Sequence, residues 1–166
     1  IRGRRPLIDR VITYTGEGAR DAGNLRVRVG TSLADIVQRQ GMREGTNKVI
    51  LGGPMMGFSQ GSLDVPMLKG NNAVLLLQQG EQPPQRACIR CGRCVDHCPL
   101  RLVPSDLSIA CENEDWEAAG EAGLMECKEC GCCAYMCPAH RRIVHQVKYA
   151  KAELAKLRER ERDTGE

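Results

Sequence analysis

Eight of the ten cysteines fall into two runs of the same form. Cys88, Cys91, Cys94 and Cys98 are followed by Pro99, and Cys127, Cys130, Cys133 and Cys137 by Pro138. Both runs read C-x2-C-x2-C-x3-C-P, with a glycine (Gly92, Gly131) after the second cysteine. Three thiolates at this spacing wrap a short loop around an iron–sulfur cube, each on a different iron. The fourth follows three residues later, as the chain turns away, and in two-cluster ferredoxins it reaches the other cluster. The pattern therefore predicts two [4Fe–4S] clusters with crossed ligands. Cluster 1 would take Cys88, Cys91, Cys94 and Cys137. Cluster 2 would take Cys98, Cys127, Cys130 and Cys133. Pro99 and Pro138 lack an N–H and fix φ, which sets the direction in which the chain leaves each cluster.

Two rival chemistries use the same residue type. Disulfide scaffolds spread cysteines to tie distant segments together, whereas all ten here lie between positions 88 and 137. Structural zinc sites pair two C-x2-C units across a longer spacer. They do not need four cysteines within eleven residues, twice, each set followed by Pro. Cys132 and Cys111 stand outside the repeat and read as small buried hydrophobes. His97, His140 and His145 read first as polar residues of loops or helix faces, with His97 and His140 as alternative donors to cluster sulfurs. Arg90, Arg93 and Lys128 are either surface charge or cations that raise cluster potentials. The stretch Gly52-Gly53-Pro54-Met55-Met56-Gly57 lacks a phosphate-loop pattern and reads as a tight turn. No Ser–His–Asp set, catalytic carboxylate pair or flavin fingerprint is present.

The elements that position these residues fall into two blocks. Residues 1–80 contain no cysteine. Arg10 to Thr15 and Leu25 to Val29 alternate as strands. Thr31 or Ser32 caps a helix with Leu33, Ile36 and Val37 on its apolar stripe and Gly41 at its end. Lys48 to Leu51 and Ala73 to Leu77 are two further strands, the last continuous and buried. Two strands, a helix and two strands suggest a small β-grasp domain. Gln78 to Gln85 reads as a polar linker, and we place the boundaries at 1–80, a linker at 81–87, a cluster domain at 88–150 and a charged tail at 151–166. The cluster domain reads as helical between its cysteine loops. Ser105 would cap a helix to about Glu112. Asn113 would cap another carrying Trp116 and Ala119, closed by Gly123. A last helix begins with Ile143, Val144 and Val147 and continues to Arg162. The fold class is thus α+β, a β-grasp domain followed by a mainly α-helical, ferredoxin-like domain.

Composition narrows the functions. The 166 residues are 42% hydrophobic but only 3% aromatic, so the core is small and cross-linking by clusters would help it fold. A net charge of +3, with no basic–aromatic stripe, argues against nucleic acid. No apolar run approaches the roughly 20 residues needed to span a bilayer. The chain begins at Ile1 rather than Met, which points to a piece of a longer chain.

The order of these parts resembles the C subunit of the Rnf (Rsx) ion-translocating electron transport complex. The resemblance is carried by Pro6-Leu7-Ile8-Asp9-Arg10-Val11 with Thr15-Gly16-Glu17, by Asn24 to Thr31, by Gly52 to Phe58, by Leu63-Asp64-Val65-Pro66, and by the long spacer between Cys98 and Cys127. It implies a β-grasp domain of the soluble-ligand-binding type and an α-helical two-cluster ferredoxin module. It also implies an FMN- and NADH-binding domain upstream, so the fragment would have no NADH or FMN site of its own. Its partners would be integral membrane subunits and another iron–sulfur subunit, and its location the cytoplasmic face of the bacterial inner membrane, held peripherally. Arg141-Arg142 departs from the more apolar Ile-Pro segment usual in the family, and the tail after Arg162 stops early. The expected function is electron transfer within an ion-translocating oxidoreductase. The alternatives are an electron-entry module of a soluble oxidoreductase, heterodisulfide-reductase-like or glutamate-synthase-like, and an iron–sulfur sensor.

Overall fold

A computed structural model of the chain describes residues 6–79 and 83–164. The chain divides into two compact units, Ile1–Gln82 and Pro83–Glu166.

The first unit is a five-stranded mixed sheet with one helix. Its elements are β1 (Asp9–Thr15), β2 (Gly23–Arg28), α1 (Leu33–Gln40), β3 (Lys48–Leu51), β4 (Phe58–Gln60) and β5 (Ala73–Leu77). The strand order is β2-β1-β5-β3-β4. The first and last strands, β1 and β5, run parallel at the centre, with Tyr14 opposite Val74, and the other pairs are antiparallel. Strand alternation dictates the core. Ile12 and Tyr14 of β1 and Val74 and Leu76 of β5 point to one face and bury against Leu33, Ile36 and Val37 of α1. The Tyr14 hydroxyl donates to the Gly41 carbonyl at 3.0 Å, which gives this fully buried phenol its partner. Burial raises its pKa, with the nearby Asp21 adding to the effect. Ser32 is the residue that caps α1, accepting from the Ala34 N–H at 3.1 Å, and Gly41 ends it with φ 75°.

Three strand expectations change. β4 is an addition, because three residues with an exposed Phe58 carry no alternation. β5 is buried on one face only; Ala73, Leu75 and Leu77 on the other are half-buried. β1 and β2 each start earlier than the alternation suggests, and β2 ends at Arg28. The stretch Gly52 to Gly57 is the turn that joins β3 to β4, closed by the Gly57 N–H on the Gly53 carbonyl at 2.8 Å.

The second unit is helical: α2 (Arg93–Asp96), α3 (Pro104–Glu112), α4 (Trp116–Glu121), α5 (Cys132–Tyr135) and α6 (Ile143–Thr164). Two caps differ from expectation. Pro104 occupies the first turn of α3, where a missing N–H costs nothing, so Ser105 lies inside the helix and does not cap it. Asp115 rather than Asn113 caps α4, accepting from the Ala118 N–H at 3.0 Å, while Asn113 closes α3. Gly123 does end α4: with φ +86° it lets Gly123 and Leu124 donate to the carbonyls of Gly120 and Ala119. The core is small, built from Leu107, Cys111, Ala119, Leu124, Ile143, Val147 and Ala150. Cys94, Cys127 and Cys133 pack against it, so the cysteine loops sit directly on the hydrophobic centre.

Candidate metal centre

The cysteine repeat extends into backbone geometry. Positions 39 apart, from Cys88 and Cys127 to Pro104 and Ile143, carry the same events. Arg90 and Glu129 both adopt positive φ (51° and 55°), as do Gly92 and Gly131 (76° and 87°) and Arg101 and His140 (57° and 51°). A positive φ at a non-glycine residue costs roughly 1–3 kcal/mol and persists where surrounding structure imposes it. Here it makes each loop reverse between its first two cysteines. α2 and α5 then begin directly after the glycines, and α3 and α6 begin at Pro104 and Ile143.

These turns gather the thiols into two groups. One cavity, of about 260 Å³, is lined by Cys88, Cys91, Cys94 and Cys137. A second, much tighter cavity of about 20 Å³ is lined by Cys98, Cys127, Cys130 and Cys133. Each draws three cysteines from one repeat and the fourth from the other. Among the described residues no three His, Cys, Asp or Glu side chains converge as they would on a single metal ion. The thiols surround cavities instead, which suits a multi-iron group taking one thiolate per iron.

Two of the cavity thiols, Cys94 and Cys133, have raised pKa values. Burial pushes Cys133 up to about 12. Burial also raises Cys94, partly offset by hydrogen bonds from the Ser105 hydroxyl and backbone N–H. Ligation must displace these protons, so metal binding and proton release are linked. The Glu129 N–H donates to the Cys127 sulfur at 3.5 Å.

Outside the two sets, Cys111 lies in the core at 2% exposure, where burial and the nearby Cys127 raise its pKa. Cys132 lines neither cavity; a hydrogen bond with Cys130 is the main cause of its raised pKa. Replacing Cys132 by Ala is therefore expected to leave the iron content of the reconstituted chain unchanged, and a loss of about half would show that Cys132 is a ligand. His97 is exposed, with its Nδ1 2.9 Å from the Arg93 carbonyl, and His140 and His145 are also exposed. Arg90, Arg93 and Lys128 are exposed; Arg90 lines the first cavity and Lys128 the second.

Three contributors are not visible in the sequence as such. Ser105 lines the first cavity with Cys94 rather than ending a helix. Lys151, assigned to the tail, donates to the Cys127 carbonyl at 2.6 Å and to Glu129 at 2.8 Å. It does so because α6 runs unbroken past residue 150, with Ala150 fully buried. Arg141, conspicuous in the sequence only as a departure, is 6% exposed, bonds Ser108 and Glu112, and lines the first cavity.

The fold and the site define an α+β protein with a cysteine-walled pair of cavities in its helical unit. No protein-family model matches the chain. It is 43% identical over 161 residues, 95% of its length, to the C subunit of the proton-translocating ferredoxin:NAD(+) oxidoreductase complex of Clostridium ljungdahlii. It is 40% identical over 163 residues, 96% of its length, to the C subunit of the ion-translocating oxidoreductase complex of Rhodobacter capsulatus. The Yersinia pestis counterpart of the latter matches at 39% over 125 residues, 73% of the chain. By this homology the chain belongs to the family of C subunits of ion-translocating oxidoreductase complexes. It spans about a third of the length of the first two relatives and a fifth of the third, which the matches cover to 35%, 31% and 20%.

Proposed function

We propose that the chain is the electron-relay part of an ion-translocating oxidoreductase and holds two [4Fe–4S] clusters. The observation that carries this is the three-plus-one grouping of cysteines around each cavity. Bound there, a cube supplies one-electron chemistry at low potential. The chain's own residues supply the rest. Eight thiols give up their protons and become ligands. The left-handed turns at Arg90, Gly92, Glu129 and Gly131 fix the loops in advance. The hydrophobic centre behind Cys94, Cys127 and Cys133 excludes water from the inner side of both cavities. Sharing one cysteine across repeats ties the two loops together and keeps the sites close, as electron hopping requires.

The first unit fits a β-grasp domain, because its first and last strands pair in parallel at the centre of a mixed sheet with one helix packed on it. We assign it to docking on other subunits. No helix among the described residues is long and apolar enough to cross a membrane. Attachment at the cytoplasmic face through integral partner subunits, with electrons exchanged with an FMN- and NADH-binding part and another iron–sulfur subunit, is the arrangement we favour. The test is anaerobic reconstitution of the full chain. A broad visible absorption band should bleach on adding dithionite and return on adding a one-electron acceptor. A band that does not cycle would rule out the relay.

A further inference from the structure

We propose that the two cluster sites are electrically unequal, and that Arg141 makes the first cavity the higher-potential end of the relay. This rests on the two-cluster assignment above and goes beyond it. Position 141 in the second repeat corresponds, 39 residues back, to position 102 in the first. Because the repeats cross, Arg141 lines the first cavity and Leu102 the second. The next such pair, Ser105 and Val144, lies three residues further on. Ser105 lines the first cavity, whereas Val144 lines the second. At two equivalent positions, then, the first cavity has a cation and a hydroxyl where the second has hydrocarbon.

Reducing a cluster adds a negative charge. A cation beside it stabilises the reduced form and raises the potential, and hydrogen bonds to the sulfur act in the same direction. Arg141 is held for this role. It is 6% exposed, its Nε and Nη2 reach the Ser108 hydroxyl at 3.4 and 3.1 Å, and Ser108 in turn donates to Gln146. Its counter-charge, Glu112, is 43% exposed and does not line the cavity, whereas Arg141 does. The other charges are weaker influences. Arg90 and Asp106 at the first cavity are exposed and opposite in sign. At the second, Lys128 is exposed and Glu129 is paired with Lys151. Water screens exposed charges far more than buried ones.

The experiment is a reductive titration of the reconstituted full chain, followed by visible absorption and EPR, on Arg141→Leu, Arg141→Lys and Glu112→Gln beside the unaltered protein. Leucine is the residue that the repeat places at the other cavity. The unaltered chain should show two resolved midpoint potentials. Arg141→Leu should lower the higher one, bringing the two together, and leave the lower one in place. Arg141→Lys should stay near the starting value. Glu112→Gln should move the higher potential further up, because it removes the counter-charge and leaves Arg141. If Arg141→Leu fails to load iron, Glu112→Gln decides alone. Iron and sulfide are counted first. An unaltered chain that takes up no cluster overturns the two-cluster assignment itself. Loaded chains whose higher potential stays put in Arg141→Leu and Glu112→Gln, or whose lower potential moves instead, overturn only the role of Arg141.

Discussion

Replacing Cys98 by Ser is expected to halve the iron of the reconstituted chain, and adding Cys130→Ser should take away no more. The reason is that Cys98 lines the cavity of Cys127, Cys130 and Cys133 rather than that of its own repeat. A second lesion at Cys130 falls on a site already lost. Combining Cys98→Ser with Cys91→Ser should instead remove nearly all iron, because Cys91 belongs to the other cavity. Ligation confined within each repeat gives the opposite pattern, with the Cys98–Cys91 pair keeping half and the Cys98–Cys130 pair losing all. Iron and sulfide assays on the two double variants thus separate the wirings without needing to know which signal belongs to which site. A site that keeps three of its four thiolates can still hold iron loosely. Comparison after gel filtration under anaerobic conditions removes that fraction.

Gly16→Ala should unfold the first unit at much lower denaturant or temperature while sparing the second. Gly16 has φ +112°, a conformation that L side chains rarely adopt, and an added Cβ would stand 2.0 Å from the Leu76 carbonyl oxygen. That carbonyl belongs to central strand β5 and accepts from the Gly18 N–H, so it cannot simply retreat. The backbone strain costs roughly 1–3 kcal/mol, and the forced repacking about 1–3 kcal/mol more. The total is a large share of the roughly 5–15 kcal/mol that holds a domain folded. Each unit has its own buried core, so the visible absorption of a loaded chain should persist where the first unit's cooperative melt is lost. An unchanged melt would mean that the β1–β5 junction yields more readily than its hydrogen bonds suggest.

What could be read from the sequence was what depends on spacing. The cysteine repeat, its prolines and its glycines are local, so their periodicity is visible without a structure. The same holds for β1, whose Ile12 and Tyr14 alternate with polar or exposed neighbours, and for α1, whose Ser32, Leu33, Ile36, Val37 and Gly41 follow helix rules. Long-range geometry was not visible. β4 exists because β3 offers it an edge, with Val49 opposite Gln60 and Leu51 opposite Phe58, and its own three residues do not announce it. Ser105 looked like a cap because of its hydroxyl; Pro104 took the first turn and left Ser105 inside the helix. Lys151 stood in a charged tail, and Arg141 stood out only as a departure from a more apolar segment. Only the packing of α3 against α6 brings Arg141 to Ser108 and Glu112, and only an unbroken α6 brings Lys151 to the Cys127 loop.

Whether this chain carries two four-iron clusters is decided by its composition when loaded. The most direct test is the metal and acid-labile sulfide content of the full chain, purified and reconstituted without oxygen. About eight iron and about eight sulfide per chain are expected, with negligible zinc. Zinc in stoichiometric amount without sulfide, or no more than about four iron at saturation, would contradict it.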